Sequence, residues 1–498
     1  MAKASFIVPV EVSQVTKTLE NKGFKAYLVG GCVRDLIIGR EPKDWDVTTD
    51  ATPEQIIAVF PHTFYENSYG TVGVVNDLAT DERLKTVEVT PFRLESAYTD
   101  KRRPDAVSFS KNIEDDLKRR DFTINALALK LEDEREGSFT GNMIDLFNGQ
   151  TDIKDGLIRT VGDAHERLSE DALRIMRAIR IAAELGFAIE KGTLEALKTH
   201  APLLAHIAKE RVRDEFVRIL MSDTPMNALM MCRELGIVPF IARELEESYG
   251  VEQNQAHSYD VWEHLLRTLQ HSADKKYPLE IRLAALFHDI GKPATRRFSR
   301  ETNQFTFYGH EVVGARMTEK ILRNLNFPTK TVENVVKLVR WHMFFSDTEQ
   351  ITLSAVRRMV ANVGKEHIWN LMNVRICDRI GTGRPKENPY RLRKYKAMIE
   401  EALRDPISVG MLKIDGKKIM EVSKMPPNPK IGLILNALLE EVLENPKLNT
   451  AEYLEGQTLE LMKLPDEDLK KRAAVGKDKK MKAEEDEIAK IRGKHGVK

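Results

Sequence analysis

Residues 28–50, LVGGCVRDLIIGREPKDWDVTTD, constrain the fold of this chain more than any other stretch. A short apolar run ends at a pair of glycines, and a helical segment from Cys32 to Ile38 follows, with Gly39 placed to cap it. From Asp44 to Thr48 polar and apolar residues alternate, which predicts a half-buried strand. The stretch therefore predicts a strand, a glycine turn, a helix and a second strand.

The two aspartates of the second strand carry the first indication of chemistry. Asp44 and Asp46 are two residues apart and therefore point to one face of the strand, while Trp45 and Val47 point to the core. Neighbouring carboxylates repel each other, and a divalent cation removes that cost. The pair suits two-metal phosphoryl or nucleotidyl transfer, and the upstream glycines would let backbone N–H groups approach a triphosphate. The alternative is a solvated strand edge or a turn.

Length and charge limit the class of protein. The chain has 498 residues, enough for several domains. No apolar run reaches the ~18 residues of a membrane helix, and the first residues lack the apolar core of a signal peptide. Three cysteines, distant and odd in number, fit reduced thiols. We therefore expect a cytoplasmic protein. The net charge of +1 argues against a uniformly basic nucleic-acid coat, so any contact with a nucleic acid must come from local patches.

Two further segments add polar residues to the same part of the chain. Residues 86–90, TVEVT, alternate as a strand. If this strand lies beside the strand of the two aspartates, Glu88 becomes a third carboxylate near the metals, and otherwise it is a surface glutamate. Residues 119–126, RRDFTINA, indicate on residue types alone a helix start capped by Asp121. Residues 94–117 predict a flexible basic loop, which either covers an active site or is simply exposed.

Residues 166–185, ERLSEDALRIMRAIRIAAEL, predict one amphipathic helix. Asp171, Arg174 and Arg177 recur at helical spacing and share one side, which Arg180 continues. One interpretation is a ladder of surface ion pairs. The other is base recognition, because cytosine and adenine present an amino donor beside a ring-nitrogen acceptor, which an Asp and an Arg can match. Uracil and guanine mismatch both partners.

The order of these motifs resembles a known family. GG-x-x-R-D, a Gly-Arg pair and D-x-D on a strand are similar to the head signature of class II template-independent RNA nucleotidyltransferases, which are tRNA CCA-adding enzymes and bacterial poly(A) polymerases. RRDFTINALA, an EDxxR motif that includes Glu170, and KERVRDE at 209–215 match further motifs, so the resemblance covers about residues 24–220. It implies an α+β fold: a nucleotidyltransferase head with a small mixed β-sheet and helices, followed by an all-helical neck, further helical domains and a tail.

The resemblance also implies residue roles. Asp44 and Asp46 would hold Mg²⁺ in the head, with Glu88 as the third catalytic candidate. The nucleotide-binding set would be Gly30, Gly31, Arg34, Arg120, Asp121, Asn125, Asp171, Arg174, Arg177 and Arg180. Within that set, Asp171 and Arg174 would template the base. Residues 209–215 would brace the templating helix.

A second group of metal-ligand residue types lies between residues 254 and 380. An apolar helix, IRLAALFHDI at 281–290, ends in His-Asp and continues into GKP. The candidate ligands are His264, His288, Asp289, His310, His342 and Asp378. Imidazole mixed with carboxylate suits a transition metal or a Mg/Mn site. The run resembles the HD phosphohydrolase superfamily, which implies a divalent ion (Mn, Ni, Fe, Zn or Mg). The domain would either hydrolyse phosphoesters or serve as a helical scaffold without turnover.

The patterns predict five segments and one reaction. The segments are a head at 1–150, a neck for base selection at 151–225, an HD domain at 226–385, a helical tail at 386–470, and a charged, solvated or disordered tail at 471–498. The resemblance implies CCA addition to the tRNA 3′ end from CTP and ATP, a transferase of EC class 2.7.7, with no membrane or protein partner. The alternatives are a poly(A) polymerase, an enzyme that adds only A, or an HD phosphohydrolase with an RNA-binding head. Basic residues at 391–396 are either an RNA-backbone contact or a solvated helix face.

Overall fold

A computed structural model describes residues 5–65, 70–96, 106–135, 138–253, 258–300, 303–343 and 351–473. The chain forms two compact units. One comprises Met1–Ser222 and Asn227–Ile241, and the other comprises Asp223–Met226 and Ala242–Lys498. Residues 97–105 of the basic loop predicted at 94–117, and most of the charged tail, from residue 474 on, lie outside the described residues. The rest of that segment is not a loop, because Arg93–Ser96 pairs with Ala106–Phe109 as an antiparallel hairpin and Ile113–Lys118 is helical.

The first unit contains a mixed sheet. The strands of this unit are β1 (Ser5–Ile7), β2 (Ala26–Val29), β3 (Asp46–Thr49), β4 (Thr63–Tyr65), β5 (Val72–Val75), β6 (Thr86–Pro91), β7 (Arg93–Ser96), β8 (Ala106–Phe109), β9 (Leu127–Arg135), β10 (Ser138–Asp145), β11 (Leu157–Ile158) and β12 (Ala188–Ile189). Eight of them form one sheet in the order β1-β10-β9-β2-β3-β6-β5-β4. Within it β3 and β6 are parallel and the other pairs are antiparallel. The expected small mixed sheet with helices is confirmed.

Helices follow and flank this sheet. They are α1 (Val10–Asn21), α2 (Gly31–Ile37), α3 (Pro53–Val59), α4 (Ile113–Lys118), α5 (Gly149–Asp155), α6 (Ala164–Glu170), α7 (Leu173–Leu185), α8 (Lys191–His200), α9 (Lys209–Met221), α10 (Pro225–Glu234) and α11 (Val238–Glu246). Helix α11 contains a non-helical residue, Ala242 (φ −153°, ψ 106°), where the second unit begins again.

Local sequence patterns explain the central strands. In β3 and β6 the alternating valines Val47, Val87 and Val89 are fully buried, as a period of two requires. The predicted strand at 44–48 starts later than expected, since β3 begins at Asp46 and Asp44 lies in the preceding bend. The reason is pairing: β2 ends opposite the start of β3, so the earlier residues have no antiparallel partner on that side.

The single helix predicted at 166–185 is interrupted. Helix α6 ends at Glu170 and α7 begins at Leu173, and between them Asp171 has an extended backbone (φ −136°, ψ 104°). Its Oδ1 accepts the N–H of Leu173 at 3.0 Å. An aspartate side chain competes with backbone carbonyls for such N–H groups, which favours a helix start over a helix interior. The periodic pattern continued across the break because both helices bury their apolar residues.

The second unit is helical apart from one hairpin. Its helices are α12 (Val261–Asp274), α13 (Leu279–Phe287), α14 (Lys292–Thr295), α15 (His310–Asn324), α16 (Thr329–Trp341), α17 (Leu353–Val363), α18 (Ile368–Gly381), α19 (Tyr390–Ala402), α20 (Gly416–Ser423), α21 (Pro429–Glu444), α22 (Ala451–Met462) and α23 (Asp466–Ala473). The hairpin pairs β13 (Arg297–Ser299) with β14 (Gln304–Thr306). Within the described ranges, no helix has the length and apolarity needed to cross a membrane.

Candidate active site and candidate metal centre

The turn between β2 and α2 brings an arginine and a carboxylate close to the backbone. Gly30 has a φ of +83°, a conformation that favours glycine. A Cβ added there would lie 2.9 Å from Nη1 of Arg120 and 3.4 Å from Oδ2 of Asp46. The distance to Arg120 is too short for a Cβ unless the guanidinium moves. The structure therefore brings Gly30, Arg120 and Asp46 into one group, which residue order alone could only suggest.

The head carboxylates lie on neighbouring segments. Asp46 and Glu88 are register partners in the parallel pair β3–β6, so the strand of Glu88 does lie beside the strand of the aspartates. Asp44 is exposed in the bend before β3. Within the described part of the chain, these three do not form a set whose ligand atoms all lie within 4.8 Å. Their oxygen donors are nevertheless the type that Mg²⁺ prefers, so the donor chemistry fits this ion.

Arg120 has an unused buried donor. Its Nη2 donates to Oδ2 of Asp116 at 3.1 Å, while its Nε is buried and has no hydrogen-bond partner among the described residues. Burial raises the pKa of the Asp116 carboxyl, but Arg119 and Arg120 outweigh it and hold that pKa below its usual value. A buried guanidinium N–H without an acceptor is costly. An anionic ligand that reached this guanidinium would add an acceptor for it.

A polar network connects the head to helix α7. Arg34 donates through Nη1 to Oδ1 of Asn125 at 2.8 Å, and Asn125 donates through Nδ2 to Oδ1 of Asp121 at 3.2 Å. Nε of Arg177 donates to Oδ2 of Asp121 at 2.8 Å. Burial raises the pKa of the Asp121 carboxyl, but Arg177 more than compensates and the pKa lies well below its usual range. Both oxygens of Asp121 are thus used inside the protein.

We expect Asp121→Asn to lower the free energy of unfolding by about 2 kcal/mol at neutral pH. Breaking a buried ion pair costs about 3–5 kcal/mol, and the 34% exposure of the Arg177 side chain reduces the effect. Because the pKa of Asp121 is lowered in the folded state, its stabilisation is present above pH ~4 and is lost as the pH falls further. Urea unfolding from about pH 2 to pH 8 measures both effects.

The exposed pair Lys17–Glu134 supplies the control for this measurement, since its side chains are 49% and 45% exposed. Glu134→Gln should change the free energy of unfolding by less than about 0.5 kcal/mol. An equal loss in the two variants would contradict a special contribution from Asp121.

The two residues expected to read the base have separate partners. Nη1 of Arg174 donates to the carbonyl of Arg167 at 2.8 Å and to Oε2 of Glu170 at 2.6 Å, and its Nη2 donates to the carbonyl of Arg119 at 3.1 Å. Asp171 accepts from Nη2 of Arg211 at 2.9 Å. Sequence reasoning did not single out Arg167 or Arg119 in this role, because a backbone carbonyl acceptor has no sequence signal.

Helix α9 contributes carboxylate and guanidinium partners to α7. Glu215 is 6% exposed, and its Oε2 lies 2.7 Å from Nε of Arg180. Its Oε1 lies 3.9 Å from Nη1 of Arg177. Together with the Arg211–Asp171 pair, these contacts are the bracing that the sequence suggested for residues 209–215. Arg180 also lies 3.4 Å from Oε2 of Glu184, within its own helix.

Gly30→Ala should lower kcat/KM for nucleotide addition about tenfold to hundredfold, since a displacement of about 1 Å in a reacting group can cost that much. The added methyl would displace the Arg120 guanidinium and strain the positive φ. Gly23→Ala is a matched control, because Gly23 has a φ of +86° and open space around it. Steady-state kinetics of both variants test this, and equal losses would attribute the effect to backbone strain alone.

In the second unit, helix ends assemble a compact polar cluster. The structure brings together all six candidate ligands, and each is at most 6% exposed. Their ligand atoms form two sets within 4.8 Å, the first of His264, His288 and Asp378 and the second of Asp289, His310 and His342. The residues come from α12, the α13 terminus, α15, the α16 terminus and α18.

Asp289 connects the two sets. Its Oδ2 lies 3.1 Å from Nε2 of His264 and 3.3 Å from Nε2 of His288. Its Oδ1 lies 3.0 Å from Nε2 of His310 and 3.4 Å from Nε2 of His342. Each carboxylate oxygen therefore faces a different set. Asp289 could thus contribute a carboxylate oxygen to a cation held by either set.

Three histidines have a fixed tautomer. The Nδ1 atoms of His288, His310 and His342 lie 2.8, 2.7 and 2.7 Å from the carbonyl oxygens three residues earlier. Each Nδ1–H therefore donates to a carbonyl, which leaves the lone pair on Nε2. The Nε2 atoms of His264 and His288 are 3.0 Å apart, and those of His310 and His342 are 3.3 Å apart. Nitrogens at these spacings need a shared proton or a cation, so the set fits divalent metals.

Without a cation, the pKa values of two histidines in the cluster, His288 and His342, shift in opposite directions. Burial lowers the pKa of His342 to about 4. At His288 burial also lowers the pKa, but the carboxylates of Asp289 and Asp378 outweigh it and raise the pKa to about 10. The sequence did not single out Arg375, which pairs with Asp378 from one helical turn earlier. Lys292 of the GKP run lies 2.6 Å from Oδ2 of Asp289.

A cavity of 840 Å³ opens at this cluster. Asp289, His310, His342 and Asp378 form part of its wall. Its cationic lining residues are Lys292, Arg375, Arg379, Arg384 and Arg391, and its aromatic ones are Phe305, Phe307, Tyr308 and Tyr390. Cations beside a candidate metal cluster suit an anionic ligand, and aromatic faces suit a ring system.

Comparison with protein families gives three matches along the chain. Residues 26–159 match the family "Poly A polymerase head domain", residues 186–248 match "Probable RNA and SrmB- binding site of polymerase A", and residues 255–379 match "HD domain". These domains imply the use of divalent metal ions, and the described residues include groups able to hold them.

Curated relatives are CCA-adding enzymes. The protein of Geobacillus thermodenitrificans is 32% identical over 443 residues, which cover 88% of this chain and 94% of that protein. The protein of Leuconostoc mesenteroides is 42% identical over 274 residues, which cover 54% of this chain and 65% of that protein. A crystal structure of the Bacillus stearothermophilus CCA-adding enzyme in complex with CTP has a TM-score of 0.65 at 28% identity, covering 92% of this chain and 98% of that one.

Proposed function

The chain belongs to the family of CCA-adding enzymes, and from that premise we propose that it adds CCA to the 3′ end of tRNA using CTP and ATP. The observation that carries this proposal is the group of Gly30, Arg120 and Asp46. There the Arg120 guanidinium and the Asp46 carboxylate both approach the backbone of a glycine, and Nε of Arg120 is buried without a hydrogen-bond partner among the described residues.

The residues of the head have distinct tasks in this reaction. The 3′-oxygen of the RNA attacks the α-phosphorus of the nucleotide, and pyrophosphate leaves. Backbone N–H groups at Gly30 and Gly31, with the guanidinium groups of Arg34 and Arg120, bind phosphate oxygens. Asp44 and Asp46, with Glu88 beside them, would hold Mg²⁺. When bound, Mg²⁺ supplies neutralisation of phosphate charge and favours ionisation of the attacking hydroxyl.

Residues of α7 and of the helix break before it would select the base. Asp171 accepts from the amino group of cytosine or adenine, and Arg174 donates to the ring nitrogen. Arg177 and Arg180 hold this surface through Asp121 and Glu215. Incorporation of each nucleotide by Asp171→Ala and Arg174→Ala tests the assignment, which is wrong if both variants keep the wild-type choice among the four nucleotides.

The proposal also includes the domain organisation of the chain. Residues 1–150 would form the catalytic head and residues 151–225 the neck that selects the base. Residues 226–385 would form the HD domain and residues 386–470 a helical tail. A cytoplasmic location is part of it, supported by three free, buried cysteines, Cys32, Cys232 and Cys377.

Transcripts of one tRNA with different 3′ ends test the reaction. The RNA lacks CCA, ends after CC, or carries the complete CCA, and each nucleotide is supplied alone or together. CCA addition predicts incorporation of C and then A, with no growth on the complete tRNA. Open-ended growth with ATP would identify a poly(A) polymerase instead, and growth only on RNA that ends in CC would identify an enzyme that adds A alone.

A second candidate function, phosphoester hydrolysis by the HD domain, is favoured by the two ligand sets at the wall of the 840 Å³ cavity. The six ligands would hold divalent ions (Mn, Ni, Fe, Zn or Mg), which supply an activated water and neutralise phosphate charge when bound. Arg375, Arg379 and Lys292 would bind the phosphate. Hydrolysis of 2′,3′-cyclic phosphates with added Mn²⁺ or Ni²⁺ tests this, and a rate no higher than that of His288→Ala would exclude it.

A further inference from the structure

A pair of imidazoles outside the two sites described above lies within reach of a single ion. Nδ1 of His165, in helix α6, lies 3.2 Å from Nε2 of His200, the last residue of helix α8. The ring centroids are 5.3 Å apart, and the ring planes meet at 64°. Sequence reasoning did not single out either residue, because 35 residues separate them along the chain.

The spacing of this pair fits one metal ion. Two Zn–N bonds of about 2.0–2.1 Å at a tetrahedral angle place their nitrogens about 3.3 Å apart. The pair also repeats the spacing in the candidate metal centre, where the Nε2 atoms of His310 and His342 are 3.3 Å apart and the ring centroids are 5.3 Å apart. Imidazole nitrogens suit Zn²⁺, Ni²⁺ and Cu²⁺. The two rings therefore have the donor type and the spacing of neighbouring ligands of such an ion.

Packing of the two helices fixes this spacing. Helices α6 and α8 contact each other, and Leu168 of α6 and Leu197 of α8 are fully buried. Each helix also has a defined start, because the carboxylates of Asp163 and Glu190 accept backbone N–H groups of the first turns of α6 and α8. Ligands that are held in place before an ion arrives lose little conformational entropy when they bind it.

Both imidazoles are accessible to an ion from solvent, since His165 is exposed and His200 is partly exposed. Within the neutral pair, one facing nitrogen donates its proton to the other. A neutral imidazole can carry that proton on its other ring nitrogen instead, which leaves a lone pair on each facing nitrogen. Binding of an ion to the neutral pair therefore requires a change of tautomer in one ring and no loss of a proton.

We propose that His165 and His200 form a binding site for one divalent transition-metal ion, of the Zn²⁺, Ni²⁺ or Cu²⁺ type, that links helix α6 to helix α8. Water completes the coordination of the ion, so the ion exchanges with solvent. The site is distinct from the head carboxylates, whose oxygen donors suit a harder ion, and from the HD ligands, which belong to the other compact unit. A bound ion stabilises the folded chain by mass action, and that stabilisation depends on both histidines.

The complex of Cu²⁺ with iminodiacetate is the probe, because the chelator leaves positions for two further nitrogens and the electron paramagnetic resonance spectrum reports nitrogens bound to copper. In titrations of the full chain, His165→Gln and His200→Gln should each weaken this binding about 10-fold or more, since loss of an outer-shell partner alone costs about that much. His206→Gln is the matched control, because His206 is exposed and lies just beyond α8, outside the pair. The HD ligands are the same in all variants, so copper bound there adds an equal signal to each.

The expected result is loss of the same binding event in both pair variants, with His206→Gln at the wild-type value. Equal binding in all four proteins would overturn the inference, and so would loss in only one pair variant, because a single imidazole would then hold the copper. Thermal unfolding gives an independent measurement: Zn²⁺ should raise Tm less in either pair variant than in His206→Gln, and an equal rise would contradict the site. If His200→Gln does not fold, His165→Gln, which changes an exposed side chain, decides both measurements.

Discussion

Asp46→Asn is expected to reduce the rate of nucleotide addition about 1,000-fold, which corresponds to about 4 kcal/mol of transition-state stabilisation. The substitution keeps the size of the side chain but removes the charge of the carboxylate that lies beside Gly30 and opposite Glu88. Phosphate binding by Arg34 and Arg120 should remain, so KM for CTP should change much less than kcat. Single-turnover addition to a labelled tRNA, with Mg²⁺ varied, measures the loss.

Asp50→Asn provides the comparison for this result. Asp50 follows the other end of the same strand, where its carboxylate accepts the backbone N–H of Lys25 at 2.8 Å. Its replacement should leave the rate within a few-fold. If Asp46→Asn retained a rate within tenfold of the wild type, the D-x-D segment would be a solvated strand edge, the alternative that the sequence left open.

The buried face of a strand could be predicted from alternating polar and apolar residues, because this pattern depends only on neighbouring residues. The alternation around Asp46 and Glu88 predicted buried valines, and Val47, Val87 and Val89 are fully buried. The pairing that makes Asp46 and Glu88 neighbours could not be predicted from the sequence, because about 40 residues separate the two strands. Sheet topology decided it.

The helical pattern failed where one side chain competed with the backbone. Apolar spacing continues through residues 166–185, yet the helix breaks at Asp171, whose side chain accepts the N–H of Leu173. Pairs distant in sequence were also beyond prediction. Arg34 meets Asn125 over a separation of 91 residues, and Arg177 meets Asp121 over 56. A pattern within a window of about 18 residues contains no information on such pairs.

One part of the candidate metal centre could be predicted from the sequence and another part could not. The types and order of the six ligands could be identified from the sequence, because His-Asp at the end of an apolar helix is unusual. The division into two sets could not, because it depends on which oxygen of Asp289 faces which histidine. The residues of the cavity wall could not be predicted either. Tyr390 and Arg391, at the start of helix α19, line the cavity, whereas the sequence indicated an RNA-backbone contact or a solvated helix face for this segment.

Asp289→Ala is expected to abolish the binding of the two divalent ions that we propose for the HD domain. This residue alone among the six faces both ligand sets, one with each oxygen. Loss of an orienting neighbour typically weakens metal binding 10- to 100-fold, and loss of a ligand shared by two ions should weaken each by more than about 100-fold. In the metal content of the purified protein, measured by mass spectrometry after dialysis with Mn²⁺, we expect two ions per chain in the wild type and none in the variant. Nucleotide addition should continue, since the substitution leaves the head residues unchanged.

Asp378→Asn distinguishes a bridging role from a general loss of folding. Asp378 belongs to one set only, with its Oδ1 3.4 Å from Nε2 of His264. Its replacement by an isosteric amide should remove one ion and leave the set of Asp289, His310 and His342 occupied. A loss of one ion in Asp378→Asn and two in Asp289→Ala would follow from the geometry of the shared carboxylate. Equal metal content in the two variants would show instead that Asp289 serves a single ion, with Lys292 occupying its second oxygen.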